Sequence, residues 1–397
     1  MAAGASATAA AQQQNISAVN RQVRQMLLKS ALERKIQLPS PQISALQLAG
    51  GAPIAIQPQP IGLVKKFVIE ITGQANNTDG ANAANLSDLG LANLLSQVLF
   101  EDTQGYTRIQ TTGWHLDFLF RAKHRTGASR TLLATALADT GNFGNIFAII
   151  TAPTGIAHGG NAQFRMVYEI PICYSDEDLR GAVYLGLVNA VSKLQLTLNP
   201  APFAAAGVDS TLACWKGAAG NISNVAINVY QVFLDQLPRD KAGNPILPPL
   251  DKSTAYELKN TANSQAYQVG IDNPTSYSNF RRFMSTFLIY NSNPAADAGR
   301  TGGTDTNYLA LQSANVTNIK KVDPLELARE SRILTMTDFP PGCYYWSHRK
   351  APIDTLNYGN MQLILNPSAA AAGAYGYVGW EDFGALSVLQ QAGSLAG

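Results

Sequence analysis

The chain is poor in charge, cysteine and histidine for its length. Charged residues make up 14% of its 397 amino acids, well below the quarter that is usual in soluble domains. Its three cysteines, Cys173, Cys214 and Cys343, are too few and too scattered for a disulfide framework or a zinc site. We therefore expect buried, reduced thiols and folding in a reducing compartment.

Long apolar runs and secretion signals are lacking as well. No run approaches the roughly 18 residues that a membrane-spanning helix needs. The segment from Met1 to Ala11 is rich in alanine and has no basic residues followed by an apolar core, so it does not resemble a signal peptide. We expect neither an integral membrane protein nor a secreted one.

Arrangements of side chains that would support catalysis or metal binding are missing. The acidic run from Asp176 to Asp178 is contiguous, whereas paired catalytic carboxylates face each other across a cleft. Coming after Ser175, it is typical of the capped first turn of a short helix. His115 and Asp117 share one face of a predicted strand, but no third ligand accompanies them. The sequence predicts a protein that is not an enzyme and that holds no cofactor and no metal.

Asparagine and glycine take the place of charge. The chain has 28 asparagines and 33 glycines. Such a composition suits a weakly charged surface that meets copies of itself over large areas. It suits equally an ordinary β protein with long loops, and composition alone does not separate the two.

From Gly62 onward, short segments alternate between apolar and polar residues, which is the pattern of half-buried strands. The clearest are residues 67–71, 164–170, 194–198, 226–230, 280–290, 343–348, 361–365 and 375–380. Helices are predicted at Leu91 to Leu99, from Ser175, and at Asp323 to Arg332, where Pro324 suits the first turn. The sequence therefore predicts an all-β protein with few short helices.

A proline-rich connection divides this β-rich body. Residues Asp235 to Pro249 contain four prolines and a Gly-Asn turn, which is typical of a connection rather than a strand. It separates a first region, 62–238, from a second, 239–385, and each is long enough for eight strands. Two tandem eight-stranded jelly rolls fit this division, and residues 386–397 are predicted to be a tail.

Residues 1–61 are predicted to form a separate N-terminal arm. Apolar residues recur at three- and four-residue spacing within 15–36, which indicates an amphipathic helix. Five prolines between 37 and 61 then keep the chain extended. Five basic residues against the single Glu33 give a net charge of +4 in the first 40 residues. The basic residues are Arg21, Arg24, Lys29, Arg34 and Lys35.

Three interpretations of this basic helix remain open. It can lie on an anionic membrane surface, where each basic residue attracts headgroups. It can pack on its own body or on a neighbouring subunit. Direct nucleic-acid binding is disfavoured, because no aromatic residue interrupts the basic cluster to stack on bases.

Six motifs are spread over the two β-rich regions. In the first region they are TTGWHLDF (111–118), PICYSDEDLRGAV (171–183) and YQVFLDQLP (230–238). In the second region they are GNPILPPLDKSTAYEL (243–258), GTDTNYL (303–309) and the stretch 337–367. In this order, over residues 62–383, the motifs resemble those of tectivirus-type major capsid proteins of tailless, internal-membrane icosahedral bacteriophages.

The resemblance implies a double jelly roll that forms a homotrimer of pseudo-hexagonal outline. Such trimers tile an icosahedral shell around an internal membrane and double-stranded DNA. It also implies that the N-terminal helix faces the membrane, that terminal arms lock neighbouring subunits, and that minor capsid and vertex proteins are further partners. We therefore expect a virion protein that is folded and assembled in the host cytoplasm.

Two other classes of protein are weighed against this hypothesis. A secreted jelly-roll carbohydrate-binding protein or glycosidase would need a signal sequence together with an aromatic platform or paired acids. A peripheral membrane scaffold of cellular origin is suggested by the basic arm alone.

Overall fold

The computed structural model describes residues 19–87, 89–124, 131–133, 156–186, 191–204, 213–248, 256–263, 270–279, 281–291, 306–313, 319–335, 343–350, 352–355, 360–368 and 375–384. Strands and helices are numbered in chain order within these residues. The expected tail at 386–397 and the segment from Met1 to Ala11 lie outside them.

The first part of the chain contains twelve described strands. They are β1 Leu32–Gln37, β2 Ile54–Ile56, β3 Leu63–Asn77, β4 Asn85–Leu86, β5 Leu95–Glu101, β6 Thr107–Thr111, β7 Thr131–Leu133, β8 Asn161–Pro171, β9 Val183–Tyr184, β10 Lys193–Leu198, β11 Trp215–Lys216 and β12 Gly220–Asp235. The helices of this part are α1 at residues 19–30, α2 Ala45–Leu48, α3 Gly113–His124 and a 3-10 helix at Gly90–Leu94.

The second part contains nine described strands and one helix. The strands are β13 Tyr256–Asn263, β14 Asn273–Ser276, β15 Arg281–Asn291, β16 Thr306–Ser313, β17 Lys320–Val322, β18 Cys343–Ser347, β19 Ile353–Asp354, β20 Met361–Pro367 and β21 Tyr375–Gly384. The helix is α4 Pro324–Thr335.

Each part folds as a barrel of two facing four-stranded sheets. The first barrel pairs β1-β12-β3-β8 against β2-β10-β5-β6, and the second pairs β13-β21-β15-β18 against β14-β20-β16-β17. Counted along the eight main strands of either barrel, one sheet has the order 1-8-3-6 and the other 2-7-4-5. This is the double Greek key of a jelly roll, and the predicted pair of tandem jelly rolls is confirmed.

The two barrels share one continuous sheet. β6 of the first barrel pairs in parallel with β13 of the second, with Ile109 opposite Leu258 and Gln110 opposite Lys259. This contact joins a four-stranded sheet of each barrel into one nine-stranded sheet, which includes the short strand β19. Residues 236–248 run between the barrels with a single isolated bridge and no strand or helix, where the sequence predicts a connection.

The N-terminal arm is shorter than the sequence predicts. The helix predicted for 15–36 ends at Ser30, whose Oγ donates to the Met26 carbonyl oxygen at 2.6 Å. Residues 32–37 form β1 instead, antiparallel to β12, and β2 pairs with β10. The first barrel thus begins at Leu32 rather than at residue 62, because pairing along β12 outweighs the local helical pattern.

Three further local predictions are wrong in type. The strand predicted around His115 and Asp117 is part of the helix α3 instead; ten of the twelve α3 residues are buried, so no polar face reveals the helical period. Residues 91–99, predicted as a helix, divide between the 3-10 helix and β5. Ser175 and Asp178 exchange backbone hydrogen bonds at 3.4 and 3.2 Å around a tight turn, so no helix begins there.

The helix predicted at Asp323 to Arg332 is confirmed as α4. The Asp323 carboxylate accepts a hydrogen bond from the Leu325 N–H at 2.8 Å, and Pro324 is the first helical residue. This is the usual chemistry of a helix N-terminus.

Candidate functional surfaces

The apolar face of α1 lies on the body of its own chain. Leu27 has no exposed surface and packs in a small cluster with Leu63, Cys173 and Leu234, while Val23 contacts the same cluster from the rim. The outer face of the helix is polar and exposed, apart from Val19 and Met26. The apolar side of this amphipathic helix is therefore already buried against the body of the same chain.

The five basic residues predicted for one helix are divided between two elements. Arg21, Arg24 and Lys29 lie on α1, where Arg21 and Lys29 are exposed and Arg24 is half-buried. Arg34 and Lys35 lie on β1. There Arg34 Nε is 2.9 Å from Asp235 Oδ2, and Lys35 Nζ is 4.3 Å from the Tyr230 ring centroid. Only the α1 residues can form an outward basic surface on the helix.

A small ionic cluster holds β1 to the barrel. The buried Lys65 ammonium is 2.5 Å from Glu33 of β1 and 3.6 Å from Asp176, and Lys66 is 3.0 Å from Asp176. Burial tends to raise the pKa of Asp176, but the two lysines outweigh it and hold this pKa below its ordinary value. The acidic run therefore serves as a counter-charge, not as a helix cap.

The joint between the barrels is built on α3. His115 lies against Gly379 of β21, and its ring centroid is 5.1 Å from that of Phe287 on β15. Phe118, one turn later, is 6.2 Å from the same ring. α3 therefore belongs to the first barrel by sequence, while His115 and Phe118 pack against the sheet of the second barrel.

Glu381 is a fully buried carboxylate at this joint. Lys123 Nζ of α3 lies 2.5 Å from its Oε1, and the Tyr256 hydroxyl donates to the same oxygen at 2.9 Å. Ser285 Oγ donates to Oε2 at 3.2 Å. Burial tends to raise the pKa of Glu381, but the charges of Lys123 and Arg349 outweigh it and leave the pKa below its ordinary value. The ionised pair ties one barrel to the other.

The side chains considered for chemistry in the sequence have structural surroundings. Burial lowers the pKa of His115 to about 3 and that of His348 to about 3, so both imidazoles are neutral. The buried Asp117 pairs with Arg121, whose Nη2 lies 2.7 Å from Asp117 Oδ2. Cys173, Cys214 and Cys343 are buried and form no disulfide with one another, as predicted. In the described part of the chain no three His, Cys, Asp or Glu residues are grouped to hold a metal ion.

The joint could not be predicted from the sequence, because its members are far apart in the chain. Lys123, Tyr256 and Glu381 come from three separate segments, and none stands in a recognisable motif. The one available signal was a charged residue among aromatic and small residues, as in GYVGWEDFG at 376–384. A charge in such a setting is paired when it is buried.

No helix in the described residues is long and apolar enough to cross a membrane.

The chain is similar to capsid proteins along nearly its whole length. A family model described as P3 major capsid protein N-terminal matches residues 3–237, and one described as P3 major capsid protein C-terminal matches 253–397. The major capsid protein P3 of Enterobacteria phage PRD1 is 33% identical over 394 residues, which cover 98% of this chain and 96% of that protein.

Solved viral coat proteins share the fold. The major capsid protein of Sulfolobus Turreted Icosahedral Virus superposes with a TM-score of 0.63 over 92% of this chain and 99% of its own, at 13% identity. The Faustovirus major capsid protein has a TM-score of 0.53 over 89% of this chain and 90% of its own, at 7% identity. Because one P3 model covers each barrel and the PRD1 protein aligns almost throughout, this chain belongs to the P3 major capsid protein family, a family of structural rather than enzymatic proteins.

Proposed function

We propose that this chain forms homotrimers that tile an icosahedral shell around an internal membrane and a double-stranded DNA genome. The observation that carries the proposal is the tandem barrel itself. Two jelly rolls joined side by side by β6 and β13 make one unit with two similar lobes, and three such units can give a six-lobed outline. As a P3-type major capsid protein the chain is located in the virion, and its assembly takes place in the host cytoplasm.

Light scattering of the purified protein tests the trimer. We expect a single species of three times 42.4 kDa, and electron microscopy should show particles with a pseudo-hexagonal outline. A species that stays monomeric at micromolar concentration would contradict the proposal. The alternative of a secreted carbohydrate-binding protein or glycosidase is set aside, because the family is structural.

The membrane contact is proposed to be electrostatic. Val23 and Leu27 are occupied by the body of the chain, so α1 offers the membrane its exposed Arg21 and Lys29 rather than an apolar face. Each basic residue near an anionic surface contributes about 1 kcal/mol. One helix therefore binds weakly, but many helices on one shell bind firmly, since later contacts are effectively intramolecular. Minor capsid and vertex proteins remain further proposed partners.

Charge reversal on α1 tests this contact. Replacing Arg21→Glu and Lys29→Glu is expected to weaken binding to anionic vesicles by about thirtyfold per helix, because about 2 kcal/mol of attraction is lost. The matched control is Arg239→Glu with Lys241→Glu, two exposed basic residues between the barrels. Vesicle co-sedimentation measures both variants. Equal binding by the two would rule out a specific role of α1.

A further inference from the structure

Tyr174 lies at the joint between the barrels and is contacted by three cations. Its ring centroid is 5.0 Å from Lys123 Nζ, 5.1 Å from the guanidinium carbon of Arg180 and 5.6 Å from that of Arg349. Lys123 and Arg180 belong to the first barrel, and Arg349 belongs to the second. Attraction between a cation and the face of an aromatic ring helps to hold each of them there.

The carboxylates that contact these cations do not balance their charge. Asp178 pairs with Arg180, whose Nη2 is 2.7 Å from Asp178 Oδ2. Glu381 pairs with Lys123 at 2.5 Å, and its other oxygen is 4.0 Å from Arg349 Nη2. In the described part of the chain, three positive charges therefore face two negative ones. The excess falls on Arg349, because it is the cation farthest from a carboxylate.

Both arginines keep N–H groups for a further acceptor. The Arg180 guanidinium carbon lies 4.5 Å from the Phe383 ring centroid, and its Nε donates to Asp178 at 2.7 Å. Among the residues that the structure describes, none accepts a hydrogen bond from Arg180 Nη1 or from the Arg349 guanidinium. A guanidinium has five N–H donors, so several remain. The two side chains are 30% and 36% exposed, and an anion in solution can reach them.

We propose that Arg180 and Arg349, here called the arginine pair, bind a phosphate group between the two barrels. The planar guanidinium fits two oxygens of a phosphate at once. A phosphate has enough oxygens for two such groups, whereas a single carboxylate has only two. Because the two arginines come from different barrels, the bound phosphate adds a second ionic link across the joint.

The position of the arginine pair favours a lipid headgroup as the source of the phosphate. Arg180 lies between Leu179 and Ala182, which pack in one cluster with Leu27 of α1. The arginine pair is therefore at the end of the molecule that carries α1. Free inorganic phosphate offers the same chemistry, so the experiment tests both sources. The lipid source rests on the proposed membrane contact, whereas the binding of free phosphate does not.

Titration calorimetry of the intact protein tests the site with two probes. One is inorganic phosphate, and the other is dihexanoyl phosphatidylglycerol below its micellar concentration. We expect one binding site per chain for at least one probe. Arg349→Gln should weaken this binding by about tenfold or more, because charge-assisted hydrogen bonds are lost. Arg349→Lys keeps the charge without the planar fork, and it should bind more tightly than Arg349→Gln and more weakly than the unaltered protein.

The matched control is Lys193→Gln. Lys193 is an exposed basic residue at the start of β10, opposite Glu101, so the same charge is removed away from the arginine pair. Its binding of both probes should equal that of the unaltered protein. Unfolding in phosphate-free buffer checks the fold of each variant. If Arg349→Gln does not fold, the comparison of Arg349→Lys with the control decides.

Each outcome of this comparison decides something. Binding that is weakened at Arg349 and kept in Lys193→Gln supports the inference; the probe that binds then identifies the lipid headgroup or free phosphate as the source. If the unaltered protein binds neither probe, or if all variants weaken equally, the inference is overturned and the arginine pair serves only to hold the barrels together. Vesicle binding by the charge-reversed α1 is measured separately, so failure of the membrane contact is distinguished from failure of the phosphate site.

Discussion

Replacing Glu381→Ala is expected to lower the free energy of unfolding by about 3–5 kcal/mol, which is the usual cost of removing one partner of a buried ion pair. The change leaves the Lys123 ammonium at the joint without its carboxylate, and it removes the acceptor of the Tyr256 hydroxyl. Denaturant unfolding at a fixed protein concentration measures the loss. The concentration must be fixed because association adds to apparent stability.

Two controls distinguish the effect of losing the ion pair from the effect of losing side-chain volume. Glu101→Ala removes the partner of Lys193 in an exposed pair at 3.9 Å, and it should cost under about 1 kcal/mol. The double variant Lys123→Met with Glu381→Leu replaces the buried pair by apolar side chains and should recover much of the stability. If the losses of Lys123→Met and Glu381→Leu simply add in the double variant, the two residues do not act as a pair.

Replacing Gly113→Ala should have the second large effect. A Cβ atom at this position would lie 2.2 Å from the Ala92 carbonyl oxygen and 2.9 Å from the Tyr168 ring. A backbone oxygen cannot rotate away, so the start of α3 must shift and the joint must shift with it. We expect a loss of at least about 3 kcal/mol, at the upper end for overpacked cores. Thermal and denaturant unfolding measure it.

A second glycine provides the matched control. Gly80 has open space around its missing Cβ, and its backbone is not in the left-handed region. Gly80→Ala should therefore be neutral or stabilise by about 0.4–1 kcal/mol, because alanine restricts the unfolded chain. Equal losses in the two variants would show that close approach at Gly113 does not matter.

The sequence predicts the strands well where one face of a sheet is buried and the other is not. β3 from Phe67 to Ile71, β8 from Phe164 to Ile170 and β10 from Leu194 on alternate between buried and half-buried residues, and all three strands were predicted from period two. The division into two barrels followed from prolines, whose effect on the backbone is local. These features could be predicted because each depends on near neighbours in the chain.

The joint and the start of the first barrel could not be predicted in this way. α3 is buried almost all round and therefore shows no amphipathic pattern. β1 has few strand-forming residues, and its pairing partner β12 lies far away in the chain, as Leu32 opposite Asp235 illustrates.

The position of the final strand of each barrel constrains synthesis of the protein. β12 lies between β1 and β3, and β21 lies between β13 and β15, so each strand enters a slot rather than an open edge. During translation the first barrel therefore stays unclosed until residue 235 has left the ribosome, and the second until residue 384. An unfilled slot also accepts the equivalent strand of another nascent chain. Neighbouring nascent chains on one polysome can consequently exchange strands at two stages of translation, before β12 is inserted and before β21 is inserted.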